Sequence, residues 1–318
     1  MSDNFLVTAS PHLHSGSSSI KIMRDVIIAL VPAVIAAGII FGLRSLLVIL
    51  TCVTSCVLSE YLFRKLLKRP NATYDLTAVI TGLLLGLNLP VSLPLWMAAI
   101  GGIVAIVIVK ECFGGVGQNF VNPAITARIV LLMSFSSAMS VWNQPFYYLH
   151  QGTDTVTSAS YFQALQTGAE IPSLLNMFLG VRSGSLGETS ALALLLGFAY
   201  LLWRRIIEPT IPVIFIGTVG LLSWLLGGEP LYQMMSGGLL LGAIFMATDY
   251  TTSPTTRTGQ IIYAFGCGLI TVLIRFFAAL PEGVSYAILL MNIITPLIDR
   301  YTIPKAFGTK KEVAINEE

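Results

Sequence analysis

Charge is what this chain has least of. Among 318 residues only 18 are Lys or Arg and 16 are Asp or Glu, 11% in all, where soluble domains carry about 25%. That shortage excludes an ordinary water-facing domain. The net charge of +2 supplies no basic surface for a nucleic-acid backbone. Cysteine is scarce too. Cys52, Cys56, Cys112 and Cys267 all lie in or at the ends of apolar runs. Cys52 and Cys56 share a helix face, but two thiols with no His or further Cys nearby do not make a metal site, so they read as small buried apolar residues. No Walker sequence, GxGxxG or HExxH occurs, which leaves nucleotide hydrolysis and zinc peptidase chemistry without their usual parts. No cleavable signal peptide is expected, because the first apolar run follows Lys21 and Arg24 and is long enough to span a bilayer.

What the chain has in quantity is apolar sequence. It is 55% hydrophobic, its mean hydropathy is +0.80, and runs of about 20 apolar residues recur. The expectation is an all-α integral membrane protein with about ten transmembrane helices. They fall at 24–42, 44–63, 74–89, 94–112, 122–139, 190–206, 210–227, 234–249, 259–277 and 283–300. The segment 140–189 holds Trp142, Gln144, Asp154, Glu170 and several Ser and Thr, with Arg182 as its single basic residue. It reads as an extracytoplasmic excursion between spans five and six, with a short helix near Ser160–Leu165. The basic residues set the orientation. With the N-terminal segment 1–23 in the cytoplasm, Lys21, Arg24, Arg64, Lys65, Lys68, Arg69, Lys110, Arg204, Arg205, Arg257, Arg300 and the lysines of the tail 301–318 fall inside. Only Arg44, Arg182 and Arg275 fall outside, and Arg128 lies within a span. This obeys the positive-inside rule and places both termini inside.

Thr81-Gly82-Leu83-Leu84-Leu85-Gly86 echoes Gly237-Gly238-Leu239-Leu240-Leu241-Gly242. The first lies in span three and the second in span eight. Two five-span units, 24–139 and 190–300, follow from that spacing. An odd number of spans per unit forces inverted orientation, and a binding site is expected where the paired, Gly-interrupted spans meet.

Three polar clusters are candidates for chemistry. Ser183-Gly184-Ser185-Leu186-Gly187-Glu188-Thr189 ends the long polar segment just before a new apolar run. Ser183, Gly184 and Gly187 keep the chain slim there, and the Thr189 hydroxyl at a helix start suits a covalently held phosphate near free N–H groups. The simpler alternative is that Thr189 or Ser190 caps the helix. Glu60, Asp249 and Asp299 lie near the cytoplasmic ends of spans, and Glu282 near an outer end. They are either solvated helix ends or an ion route. Asp249 opens the run Tyr250-Thr251-Thr252-Ser253-Pro254-Thr255-Thr256, whose oxygens suit Na⁺ or simply tie a loop together. The third cluster is Gly114-Gly115-Val116-Gly117-Gln118-Asn119-Phe120-Val121-Asn122-Pro123-Ala124. The amides of Asn119 and Asn122 can bind a ring rich in hydrogen-bonding groups, or cap backbone groups of a re-entrant turn.

Val109-Lys110-Glu111-Cys112-Phe113-Gly114-Gly115, the Gly117–Ala124 segment, Met246-Ala247-Thr248-Asp249, Pro281-Glu282-Gly283, Ile294-Thr295-Pro296-Leu297-Ile298-Asp299 and the early Ser10-Pro11-His12 together resemble the family that holds the D-type subunit of the Rnf complex and the B-type subunit of the Na⁺-translocating NADH:quinone reductase. The chain's length resembles the former. The resemblance implies FMN held through a phosphoester on Thr189, attached outside the cytoplasm by a flavin transferase. It also implies a non-covalent riboflavin on the cytoplasmic side near Asn119 and Asn122, and roles in cation passage for Glu60, Asp249, Asp299 and Glu282. The quinone-reductase form reads Ser-Gly-Ala-Thr where this chain has Leu186-Gly187-Glu188-Thr189, so Glu188 adds a charge beside the phosphate.

The activity so implied is that of one subunit of an ion-translocating ferredoxin:NAD⁺ oxidoreductase in a bacterial or archaeal membrane, working with Rnf subunits A, B, C, E and G and inactive alone. Electrons would pass between ferredoxin and NAD⁺ by way of the two flavins, while the five-helix units shift and move Na⁺ or H⁺ outward. The alternatives are a flavin-free channel or secondary transporter built on the same plan, and a structural anchor for redox partners.

Overall fold

In the computed structural model, residues 18–70, 73–149, 162, 165, 171–278 and 283–304 are described. All regular structure among them is helical, with no β-strand. Helix α1 spans Ser19–Phe41, and Ser18 caps it by accepting the Lys21 N–H. Gly42, at φ +71°, turns the chain into α2, Leu43–Leu66. Then come α3, Thr77–Leu87, and α4, Leu95–Ile103, which continues in wider π-helical turns through Val104–Glu111. Helix α5 is Pro123–Ser134, with Pro123 at its first position and Asn122 as cap; the short α6 is Ser136–Met139.

After a turn at Tyr147–Leu149 and α7, Leu174–Leu179, the second set begins. It comprises α8, Ala191–Trp203; α9, Thr210–Leu225; α10, Pro230–Met235; and α11, Leu239–Leu241, which runs on in π-helical turns over Gly242–Met246. Last come α12, Arg257–Phe277, and α13, Val284–Thr302.

Three of these, Ser19–Phe41, Leu43–Leu66 and Arg257–Phe277, are long and apolar enough to cross a membrane; Thr77–Leu87, Pro123–Ser134, Ala191–Trp203 and Thr210–Leu225 are apolar but shorter. Ile35, Ile39, Leu50 and Leu58 lie on the outer faces of α1 and α2 at 55%, 59%, 57% and 56% exposure. An apolar outside of this kind faces lipid rather than water. The chain is a membrane protein.

Small residues let the helices approach, as lipid-embedded packing requires. A Cβ on Gly82 of α3 would lie 2.6 Å from the Val53 Cα of α2, and one on Gly268 of α12 would lie 2.6 Å from Thr218 of α9. Gly197 of α8 sits against the Ala29 carbonyl of α1. Thus α2 is flanked by α3 and α4, and α9 by α12. Helix α1 of the first set runs along α8 of the second, and α5 meets α13.

The run expected as one span at 234–249 is two pieces. Gly237 and Gly238 both take left-handed backbone angles, φ +63° and +68°, and end α10 before α11 can start. The helix expected near Ser160–Leu165 lies largely outside the described residues. Of it, Phe162 is buried beside Met177, and Arg275 lies over its ring at 4.8 Å. The final stretch of the expected excursion is packed into the helices: Arg182, Ser183, Ser185, Leu186, Glu188, Thr189 and Ser190 are all buried.

Candidate functional site

Two polar regions sit toward opposite ends of α1. The Gly180–Ser190 loop lies at its Ile40 end, where a Cβ on Gly180 would meet both Ile40 and Ser190 at 2.9 Å. A cavity lies at its Met23 and Val26 end. At 1.5 Å rise per residue, Val26 and Ile40 are about 21 Å apart along the axis.

The loop is held by its backbone. Gly187 N–H donates to the Leu87 carbonyl at 2.7 Å and Leu186 N–H to Leu89 at 3.1 Å. This threads the loop against the end of α3. Gly187 is required there, since a Cβ would lie 2.6 Å from the Leu87 Cβ. Arg182, 5% exposed, donates to the carbonyls of Glu188, Thr189 (3.2 Å) and Met235 (2.6 Å). Ser185 N–H donates to Glu188 Oε1 at 2.9 Å, and Gly184 leaves room for that carboxylate. Among the described residues, Glu188 Oε2 has no hydrogen-bond partner and is buried. Of the two candidate caps, Ser190 takes the role, accepting the Ala193 N–H at 3.3 Å. The Thr189 hydroxyl is therefore not used as a cap. Among the described residues it reaches only the Leu186 carbonyl, at 3.5 Å, and Thr189 is fully buried.

The cavity has a volume of about 140 Å³, and Asn119, Asn122, Lys110, Thr77, Asp249 and Thr251 supply polar groups to its largely apolar wall. Asn122 Oδ1 accepts from the N–H groups of Ala124 and Ile125, and its Nδ2 donates to the Met246 carbonyl at 3.3 Å. Asn119 Nδ2 donates to the Val121 carbonyl. The capping role and the cavity-lining role of these two residues therefore coexist. Thr251 and Thr252 donate hydroxyls to Asp249 Oδ2 at 3.0 and 3.5 Å. Lys110 donates to Glu60 Oε1 at 2.6 Å and to Thr77 Oγ1 at 2.8 Å. Beside it Arg64 pairs with Glu111 at 3.0 Å.

The structure thus brings Asn119, Asn122 and Asp249 to one cavity, with Glu60 joined to its wall through Lys110. Asp299 does not line it; Oδ1 accepts from Thr255 N–H at 3.1 Å and pins the loop after Asp249. Glu282 lies outside the described residues. Ser183, Gly184, Gly187 and Thr189 are gathered in the other region.

Arg128 was legible only as a charge within a span, a signal that points to function by default. It is buried in α5 and donates to Asn88 Oδ1 (2.9 Å), Ser285 Oγ (3.1 Å) and Ser185 Oγ (3.3 Å). Asn88 Nδ2 in turn lies 3.5 Å from Met246 Sδ. One polar chain therefore runs from the Thr189 loop through Arg128 to the residue that receives Asn122. Its members come from four distant stretches of sequence, so no local motif could show it.

Residues 6–308 match the NQR2, RnfD, RnfE family. The chain is 48% identical over 312 residues to the D-type subunit of the Na(+)-translocating ferredoxin:NAD(+) oxidoreductase complex of Acetobacterium woodii, covering 97% of this chain and 96% of that one. It is 44% identical over 324 residues to the D-type subunit of the proton-translocating ferredoxin:NAD(+) oxidoreductase complex of Clostridium ljungdahlii, covering 96% and 97%. It is 41% identical over 248 residues to the D-type subunit of the ion-translocating oxidoreductase complex of Stutzerimonas stutzeri, covering 67% and 70%. With the match running nearly end to end, the chain belongs to the NQR2, RnfD, RnfE family.

Proposed function

We propose that this chain is the D-type membrane subunit of an ion-translocating ferredoxin:NAD⁺ oxidoreductase. The observation that carries the reading is the near-complete alignment with two relatives so named, at 48% and 44% identity. Their names give Na⁺ for one and protons for the other, so the translocated ion here is Na⁺ or H⁺. The chain acts within a complex of other Rnf subunits.

The proposed plan is two inverted five-helix units. It is supported by the likeness of α2 on α3 and α4 to α9 on α12, and by the contacts of α1 with α8 and α5 with α13, as a two-fold relation between units would give. The positive-inside pattern puts the cavity in the cytoplasmic half and Thr189 toward the outside.

The Thr189 loop suits a phosphoester in two respects. Its hydroxyl is free of capping duty because Ser190 caps α8, and the Arg182 guanidinium lies against the Thr189 carbonyl, a cation beside any phosphate placed there. Thr189 is enclosed, so a transferase reaches it before the loop seats or when the loop swings out. Riboflavin suits the cavity in its lining, with Asn119, Asn122 and Thr251 around an apolar slot. FMN and riboflavin would supply the one- and two-electron chemistry. The chain's part is to hold them: Arg182 fixes the loop, Asn122 anchors α5 to the Met246 backbone, and the apolar wall excludes water.

The test is in-gel flavin fluorescence of the denatured full-length chain, with intact mass, after co-expression with a flavin transferase. Wild type should show a fluorescent band and an FMN increment that Thr189→Val loses. No covalent flavin in wild type, with the transferase active on a control, overturns the cofactor assignment and favours a flavin-free transporter.

A further inference from the structure

The cavity is small for a ligand that its lining suits. Its volume is about 140 Å³, against roughly 300 Å³ for the smaller of the usual small-molecule pockets. A ring-bearing ligand therefore enters only if one wall yields. Most of the wall is fixed. Asn122 is tied to the Met246 backbone, Lys110 to Glu60 and Thr77, and Gly82 lets α3 sit on the α2 backbone. The loops at Gly115–Gln118 and Asp249–Ser253 are closed by their own backbone bonds. The turn between α8 and α9, residues 204–209, is different. It supplies Ile206 and Ile207 to the cavity, and Arg204, Arg205, Glu208 and Pro209 on it are exposed. Among the described residues, Ile207 and Glu208 make no backbone–backbone hydrogen bond. Arg205 takes φ +54°, a left-handed angle where glycine is usual after a helix, and one that a bulky residue keeps only while its surroundings hold it.

Two side-chain ties close this turn. Arg204 donates through Nε and Nη2 to Asp25 Oδ2 of α1, at 3.2 and 2.9 Å. Tyr200, on the body of α8, donates to Asp25 Oδ1 at 3.1 Å and keeps the carboxylate in place. The second tie is the Tyr250 hydroxyl, which donates to the Ile206 carbonyl. The Arg204 side chain is 45% exposed, and an ion pair so open to water is weak. The bodies of α1 and α8 stay together, because Gly197 brings α8 onto the Ala29 carbonyl. Release of the two ties thus frees the turn alone.

We propose that residues 204–209 form a lid on the cavity, latched by Arg204 on Asp25 and by Tyr250 on the Ile206 carbonyl. With the latch released, Ile206 and Ile207 swing away and a planar ligand with an apolar body and a hydrogen-bonding edge passes between α1 and Tyr250. Closure packs the two isoleucines against its apolar face. The lid lies on the side that the positive-inside pattern assigns to the cytoplasm, so the occupant exchanges with the cytoplasm. That the occupant is riboflavin rests on the flavin reading above; the lid itself does not.

The experiment reads the lid with a thiol inside the cavity. Thr81 lines it and is 9% exposed. Thr81→Cys is placed in a Cys112→Ser background of the full-length chain, whose other native thiols are buried. The rate of labelling by a charged maleimide is measured in detergent. Arg204→Ala should raise that rate roughly two- to fivefold, the span that loss of one partly exposed ion pair allows. Adding Tyr250→Phe should raise it further, and Arg204→Lys, which keeps the charge, should recover most of the slow rate. The same proteins without Thr81→Cys should stay unlabelled. Equal rates in the Thr81→Cys parent and its Arg204→Ala/Tyr250→Phe form overturn the lid. Labelling of the proteins that lack Thr81→Cys also overturns it, because the whole fold would then be loosened.

A second readout uses riboflavin as the probe on the chain with native Thr81. Arg204→Ala should raise its association and dissociation rates by the same factor and leave Kd unchanged, a pattern that loss of a ligand contact does not give, since such losses fall mostly on dissociation. A weaker Kd with an unchanged association rate overturns the lid. A wild-type chain that binds no riboflavin counts against the flavin reading alone, and the thiol labelling still decides the lid.

Discussion

Arg182 shows how one side chain can define a loop. Three backbone carbonyls, two inside the Ser183–Ser190 stretch and one at the end of α10, converge on its guanidinium. Bonds from a charged donor contribute about 1.5–3 kcal/mol each when buried. Arg182→Gln should lower stability by at least one such bond, about 2 kcal/mol, in denaturant unfolding of the purified chain, and should reduce covalent flavin in the gel assay. Arg182→Lys should recover only part, because an ammonium lacks the planar fork that serves three acceptors at once. Equal stability of Arg182→Gln and wild type would remove this account. Asn122 separates two roles. Asn122→Asp keeps an oxygen for the Ala124 and Ile125 N–H groups but loses the donor to Met246. Asn122→Ala loses both and should destabilise by about 1 kcal/mol more. If the two variants unfold alike, the cap contributes nothing. At this scale the sequence singled out Thr189, Asn119, Asn122 and Asp249 as candidates, because small or polar residues stand out in apolar runs. It did not carry Arg182 or Lys110 in their present roles. Both read as counters of topology, and their partners lie 33 to 53 positions away in the bonds that join separate elements.

At the scale of helices, packing rests on where a side chain is absent. Gly82 faces the α2 backbone, whereas a Cβ on Gly217 of α9 meets nothing within 4 Å. Gly82→Ala should force α2 and α3 apart and cost about 1–3 kcal/mol. Gly217→Ala should be neutral or slightly stabilising, because a helix-interior glycine carries an entropy penalty of about 0.5–1 kcal/mol. Thermal unfolding of the two variants in the same detergent compares them directly, and a Gly82→Ala protein as stable as Gly217→Ala would contradict the close approach. Each of the expected apolar runs contains helix, since hydrophobic length is written locally. The interruption at Ser236–Gly238 was visible as a glycine pair. Its consequence, two short helices with a bend aimed at Glu188, was not, because left-handed angles at both glycines depend on the neighbours that receive them. The π-helical turns in α4 and α11 likewise carry no sequence mark; both adjoin the cavity, through Lys110 and through Ile244 and Phe245.

For the whole molecule, the proposed orientation sets the cavity in the cytoplasmic half of the membrane and the Thr189 loop toward the outside, and the native thiols provide a reporter. Cys52, Cys56 and Cys267 are buried and Cys112 is exposed, next to the segment that supplies Val116 and Asn119 to the cavity. Leu175, 68% exposed on α7, stands on the stretch that leads into the Thr189 loop. A charged maleimide that cannot cross the membrane should leave wild type unlabelled in intact cells and label it once the cells are permeabilised. Leu175→Cys in a Cys112→Ser background should label in intact cells. The reverse pattern would place Thr189 in the cytoplasm. It would also overturn the topology drawn from Lys and Arg, and with it any scheme in which the two regions, about 21 Å apart along α1, lie in opposite halves of the membrane. Labelling of both sites from one side would mean that the five-helix units do not cross as inverted copies, and the likeness of α2 and α9 in their packing would then need another cause.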